Sequence, residues 1–182
     1  MTAIGCFRAI KECELEMMLA WRNQPNVREN MYTQHEISWD EHIAWWRRLK
    51  QQAAQIYLMY ECYGQPQGIV YFTSTDVSNL NCAWGFYSSP DAPRGTGTKM
   101  EFLALEYVFN DLGFNKLWCE VLAYNVAVIR LHGKFGFVQE GVFRQQFRRG
   151  DGYFDIVRLG MLSSEWALQR DGMKQRITAL SR

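Results

Sequence analysis

Pro93-Arg94-Gly95-Thr96-Gly97-Thr98-Lys99 lies between a strand-like stretch, Asn81 to Tyr87, and an amphipathic helix, and few junctions restrict a fold as strongly. Glycines let the backbone turn tightly there and approach a ligand closely. Amides at the start of the helix lack partners inside it, and the helix dipole favours an anion at that end. The junction therefore reads as a phosphate cradle. A glycine-rich turn by itself also serves as a plain strand-to-helix connection, so its meaning depends on the elements around it.

A chain of 182 residues can bury a core as one domain without disulfide or metal staples. With 48% hydrophobic and 15% aromatic residues, its composition is that of a folded domain and not of a disordered chain. No apolar run approaches the roughly 20 residues needed to span a bilayer, and Met1 to Arg8 carries no signal-peptide segment, so the expectation is a cytoplasmic protein with no membrane partner. Cys6, Cys13, Cys62, Cys82 and Cys119 form no C-x-x-C pair. Their odd number fits reduced thiols better than disulfides, and no metal site is expected. A net charge of +1 argues against nucleic acid as a partner, as does the lack of aromatic residues interleaved with basic ones on one face. Local basic groups, Arg94 with Lys99 and Arg144 with Arg148 and Arg149, suit a small anionic ligand.

Periodicity predicts a short strand from Ile4 to Ala9, then a helix from Glu12 to Trp21 with Leu15, Met18 and Leu19 at helical spacing. A second short helix is expected from Pro25 to Met31, with proline in its first turn. Ser38-Trp39-Asp40-Glu41 fits a capping box that opens a helix to about Lys50. Gln55 to Tyr63, Gly68 to Ser74 and Asn81 to Tyr87 read as an antiparallel meander. A helix from Thr98 to Asn110 follows the glycine loop, then a strand from Lys116 to Leu122. Asn125 is placed to cap a helix ending near Gly136. Phe137 to Phe147 and Tyr153 to Leu162 form a hairpin over Arg149-Gly150-Asp151-Gly152. Ser163 to Arg182 reads as a helical, partly loose tail, which gives an expected domain of 1–165 and a tail of 166–182.

In this order the elements resemble the GCN5-related N-acetyltransferase (GNAT) superfamily over nearly the whole chain. Two motifs carry the likeness. The superfamily's acetyl-CoA loop has glutamine or arginine, two residues, glycine, one residue, then glycine or alanine; Arg94, Gly97 and Lys99 fall on these positions, and Lys99 departs from the pattern. Asn125 to Phe137 is similar to the stretch N-x-x-A-x-x-x-Y-x-x-x-G-F, with alanine displaced by one and His132 in the place of tyrosine. The resemblance implies an α/β fold: a mixed, mostly antiparallel sheet of about seven strands, the fourth and fifth splayed, flanked by helices. It implies acetyl-CoA as co-substrate, held by Phe86, Tyr87, Arg94, Gly95, Thr96, Gly97, Thr98, Lys99, Asn125 and Lys134. A narrower likeness lies in Leu19 to Pro25, Met31-Tyr32, Ile37 to His42, Cys82 to Tyr87 and Pro90-Asp91. These segments resemble the N-acetyltransferases of pseudaminic acid biosynthesis, which acetylate the 4-amino group of a UDP-linked 4-amino-4,6-dideoxy-altrose derivative.

Acetyl transfer from a thioester to an amine needs an uncharged nucleophile, donors for the developing oxyanion and a proton for the departing thiolate. His132 follows Asn125 by two helical turns, so both face one cleft, and His132 is the candidate general acid. Its imidazole, with a reference pKa of about 6.5, exchanges protons more readily near neutrality than tyrosine at about 10. Adjacent Tyr124 is the competing candidate. Gly85 marks either a bulge in its strand or the relief of crowding. For the acceptor, Arg22 and Arg28 suit phosphate, and Tyr32, Trp45 or Trp46 suit a uracil ring. Trp45 and Trp46 are adjacent and point in different directions, so only one of them is expected in the core. Asn23 and Met31 belong to the resembling segments, His42 matches a histidine near the substrate in those enzymes, and Tyr71 falls where they place a small polar residue facing the sugar. Glu36, Glu41 and Glu120 are available bases, and none stands out. Direct attack in a ternary complex is implied, because no cysteine has a basic partner in sequence.

Two alternatives stay open at this point: acetylation of a protein N-terminal amine, as in ribosomal-protein alanine acetyltransferases, and a non-catalytic acyl-CoA-binding module. A homodimer is compatible with the aromatic surface and the final strands.

Overall fold

Alternation along the middle strands divides their side chains between two cores. The computed structural model describes residues 4–52 and 54–179, so the first three residues of the N-terminal segment and the last three of the tail lie outside the described residues. Strand β1 (Cys6–Ala9) leads through a single 3₁₀ turn into α1 (Leu15–Arg22), α2 (Pro25–Arg28) and α3 (Trp39–Leu49). The meander β2 (Ile56–Cys62), β3 (Gln65–Asp76) and β4 (Asn81–Ser88) follows, then α4 (Thr96–Glu106) with a π-helical turn at its end. The chain continues through β5 (Lys116–Leu122), α5 (Val126–Phe135), the hairpin β6 (Val138–Arg149) and β7 (Gly152–Leu162), and α6 (Ser163–Ala179). Met59 and Ile69 pack with Leu15, Met18 and Trp21 of α1 on one face. Their neighbours Tyr60 and Val70 pack on the other face with Met100, Ala104 and Leu105 of α4. This period of two is the pleat of a strand, and it places a helical layer on each side of the sheet.

All seven strands form one sheet in the order β1-β2-β3-β4-β5-β7-β6. Every pairing is antiparallel except β4 with β5, which run parallel and are paired only from Asn81 to Ala83 against Lys116 to Trp118. Beyond that point the two strands separate. Trp84 and Phe86 of β4 and His132 of α5 fill the angle between them, with ring centroids 5.3 Å apart for Trp84–His132 and 5.4 Å for Trp84–Phe86. The expected α/β sheet with a splayed fourth and fifth strand is the one observed.

Several local expectations change. Ser38 accepts from the Glu41 amide at 3.2 Å, but the Glu41 carboxylate faces His35 at 3.0 Å, so only half of the capping box forms. The second helix stops at Arg28. The tail is helical from Ser163, as expected, and Trp166, Met173 and Ile177 are buried in the main core, so position 165/166 lies within a docked helix.

Candidate active site

Helix α4 opens at the glycine loop. Gly95 is its N-cap with φ +93°, a conformation that glycine adopts without strain, and a Cβ there would meet nothing within 4 Å. The requirement at Gly95 is therefore backbone shape. At Gly97 an added Cβ would stand in contact, 3.4 Å from Leu131 and from the Phe86 ring. Thr96 ties the turn by donating its hydroxyl to the Pro93 carbonyl at 2.7 Å. The Thr96 amide also bonds Pro93, and the Lys99 amide bonds Gly95. The Gly97 and Thr98 amides have no such partner among the described residues. These donors, at the positive end of a helix and beside Arg94, are suited to a diphosphate. Lys99 lies off this arc, with Nζ 5.9 Å from the Tyr63 ring centroid.

The splay continues the site. From Trp84 to Ser88 the edge of β4 facing β5 has no ladder partner, so its main-chain donors and acceptors face a cleft of about 250 Å³. Phe86, Tyr87, Asn125, Val128, His132, Cys119 and Glu120 line it, with Met31 and Tyr71. Asn125 caps α5 by accepting from the Val128 amide at 3.4 Å, which sets the direction of the helix and of His132 on it. Lys134, expected at the cofactor, is exposed on α5 and lies outside the lining.

His132 is 2% exposed, and its Nδ1 lies 2.9 Å from Oε1 of Glu101, which is fully buried on α4. Cys119 of β5 lines the same cleft and also bears on the charge of this imidazole. Burial opposes its charge, but the Glu101 carboxylate and the Cys119 sulfur outweigh this and push the His132 pKa up to about 10. Burial also pushes the Glu101 carboxyl upward. Paired with Glu101, His132 holds its proton more tightly than a free imidazole does. Cys119, which has no basic neighbour in sequence, shares the cleft lining with His132. Glu101 was missed because a carboxylate on a helix reads as a solvent-facing group. Tyr124 is not among the cleft residues; its hydroxyl donates to the Glu29 carbonyl at 2.6 Å, which commits its proton.

A second cavity, of about 370 Å³, shares Met31, Tyr71 and Tyr87 with the first. Arg22, Tyr32 and His42 line it with Trp45, Tyr57 and Arg48. Arg22 donates from Nη2 to the Thr33 carbonyl at 3.0 Å, while its buried Nη1 has no partner among the described residues. His42 is 4% exposed; burial pushes its pKa down, and Nε2 is likewise unpaired. Asn23 is not part of this wall. Its amide clamps Ile37 in both directions, at 2.8 and 2.9 Å. Arg28 and Trp46 also lie outside the lining; of the two adjacent tryptophans Trp45 lines this cavity, with its ring stacked on His42 at 5.3 Å. Tyr71 stacks on Tyr57 at 5.1 Å, and its ring occupies the space beside Gly85 where any side chain would stand. Gly85 pairs with Tyr71 in regular register, so it relieves crowding and marks no bulge. Gly85→Val is expected to cost about 1–3 kcal/mol through overpacking and to raise the acceptor KM as Tyr71 is displaced, measured by thermal melting and steady-state kinetics.

A strap between α2 and α3 crosses the opening. Tyr32 donates to Glu120 on β5 at 2.9 Å, and the Tyr124 bond to Glu29 lies beside it. Glu120 also accepts from Arg158 at 3.0 Å. Of the three carboxylates considered as bases, Glu120 alone lines the cleft. Glu41 lines the second cavity and is engaged by His35.

A sheet opened between two parallel strands, with a helix N-terminus at the mouth, defines an acyl-CoA transferase. Residues 6–138 match the acetyltransferase (GNAT) domain, and the chain belongs to that family. It is an acetyl-CoA-dependent N-acetyltransferase. Among curated proteins, acetyltransferase PseH of Campylobacter jejuni is 25% identical over 126 residues, 69% of this chain and 78% of that protein. Spermidine N(1)-acetyltransferase of Vibrio cholerae is 20% identical over 161 residues, 87% and 93% of the two chains. The crystal structure of the Vibrio cholerae spermidine N-acetyltransferase in complex with CoA and spermine matches with a TM-score of 0.84 at 21% identity, over 91% of this chain and 99% of that one. This last likeness is one of fold. Among the described residues no helix is long and apolar enough to cross a membrane, and no three His, Cys, Asp or Glu side chains are grouped to hold a metal ion.

Proposed function

We propose that this chain transfers the acetyl group of acetyl-CoA to the 4-amino group of UDP-4-amino-4,6-dideoxy-N-acetyl-beta-L-altrosamine, a step of pseudaminic acid biosynthesis that serves flagellin glycosylation. The observation that carries this reading is the unpaired, buried Nη1 of Arg22 in a cavity walled by Tyr57, Tyr71 and Tyr87. A buried guanidinium nitrogen without a partner is costly unless a ligand supplies an acceptor, and a nucleotide's diphosphate does so. The aromatic rings give uracil and the deoxy-sugar flat apolar surfaces. The likeness to PseH points the same way. A polyamine or a basic peptide would instead bring positive charge to Arg22 and Arg48.

The two cavities share Met31, Tyr71 and Tyr87, which supports direct attack in a ternary complex. Amides of Gly97 and Thr98, with Arg94, hold the diphosphate of the donor; the free edge of β4 at Phe86 and Tyr87 aligns the pantetheine arm and polarises the thioester carbonyl. His132 gives its proton to the departing thiolate. The exposed apolar side chains Val138, Val142 and Phe143 on β6 support a homodimer that covers that strand.

Thiol release from acetyl-CoA, followed against UDP-4-amino-sugars, spermidine and basic peptides, tests the assignment. Turnover confined to spermidine or to peptides overturns the acceptor and leaves the chemistry standing; no release with any amine leaves only a CoA-binding module. Arg22→Gln is expected to raise the KM for the UDP-sugar by about 10- to 100-fold, with the KM for acetyl-CoA nearly unchanged. An unaltered KM for the sugar would remove Arg22 from its binding.

A further inference from the structure

We propose that Glu101 is a positioning residue of the transfer reaction: its carboxylate, sealed between α4 and α5, grips Nδ1 of His132 and thereby fixes Nε2 as the nitrogen that serves the cleft. The inference rests on the reading of His132 as the acid, and it adds a residue that touches neither substrate.

The geometry argues against a purely structural pair. Glu101 is fully buried and its Oε2 has no partner among the described residues, while Oε1 spends its one contact on His132 at 2.9 Å. A buried ion pair with an unsatisfied oxygen contributes little to stability, and apolar residues of the same volume generally do as well or better. Glu101 also lies on the helix whose first turn carries the diphosphate donors, one turn from Gly97. A single rigid element thus aligns both the cofactor cradle and the proton donor.

Other groups around the ring leave Glu101 as its charge partner. From β4 it meets Trp84 and Phe86, and beyond α5 it meets Phe137, all uncharged. From β5, Cys119 also raises its pKa. With the carboxylate present, the imidazole stays charged through neutrality and holds a proton for the thiolate. Without it, the largest upward influence on the ring is gone while burial still disfavours its charge, so the imidazole holds its proton less tightly.

In the wild-type enzyme labelled with 15N-histidine, the three ring signals from His35, His42 and His132 are followed against pH, with His132→Gln for assignment. His132 is expected to remain doubly protonated beyond pH 8, and a midpoint near its ordinary value of about 6.5 overturns the proposal without requiring any variant of Glu101 to fold. In kinetics with acetyl-CoA and the UDP-4-amino-sugar, Glu101→Gln keeps the shape of the side chain and removes its charge. It is expected to lower kcat at pH 7.5 by about tenfold or more, to shift the alkaline limb of the kcat profile from about 10 toward neutrality, and to leave the KM for acetyl-CoA within about twofold. Glu101→Asp is expected to restore part of the loss. A Glu101→Gln enzyme with the wild-type profile, alongside an inactive His132→Gln, sinks the role of Glu101 alone; a His132→Gln enzyme with full turnover sinks the reading beneath it.

Discussion

Exchanging His132 for glutamine is expected to lower kcat by about two to four orders of magnitude at pH 7.5, with little change in either KM. Glutamine is the informative substitution. Its amide can still donate to Glu101, whereas phenylalanine would strand a buried carboxylate and mix a folding defect into the kinetics. The size of the effect follows from chemistry: without a donor, the leaving thiolate must take its proton from water in a cleft floored by Trp84 and Phe86. Stopped-flow measurement of thiol release under saturating acetyl-CoA separates this step from product departure. Retention of more than about half of kcat would take His132 out of the reaction and return attention to Tyr124, whose hydroxyl would first have to leave the Glu29 carbonyl.

Trp166→Ala carries the largest expected cost in stability, about 3–5 kcal/mol. The indole is 1% exposed, lies edge-on to Phe102 at 5.5 Å and stacks on Phe135 at 6.3 Å. Its Nε1 donates to Glu106 at 3.0 Å, beside the two-pronged contact from Arg170 to the same carboxylate. Truncation therefore opens a cavity between α4, α5 and α6 and removes a hydrogen bond at its rim. For a domain of this length the melting temperature should fall by roughly 10 °C, read by near-UV circular dichroism. A fall of a degree or two would mean that α6 is the detachable appendage its sequence resembles.

That helix illustrates what the sequence withholds. Its charged residues are spread around the axis, so no clean apolar stripe announces a buried side, and three large residues spaced along it do the docking. The sheet was easier to read because period-two alternation is local, as are the caps at Ser38 and Asn125. The glycine loop was legible for the same reason: the junction contains its own donors. Pairings across the fold were not. Glu101 and His132 are 31 residues apart and meet only when α4 and α5 pack together, and Cys119 joins them from a strand. Trp45 and Trp46 differ by one step around a helix, and which of them lines the second cavity depends on how α3 lies on Tyr57, at 4.9 Å from Trp45.

The strap over the mouth of the site governs access to it. It is stitched to the far half of the sheet by Tyr32 with Glu120 and by Tyr124 with Glu29. Exchanged for water, the second costs about 0.5–1.5 kcal/mol and the first, which ends on a carboxylate, about 1.5–3 kcal/mol. Both ties are side-chain bonds outside the strand ladders, so uncovering the chamber would break no pairing of the seven-stranded sheet.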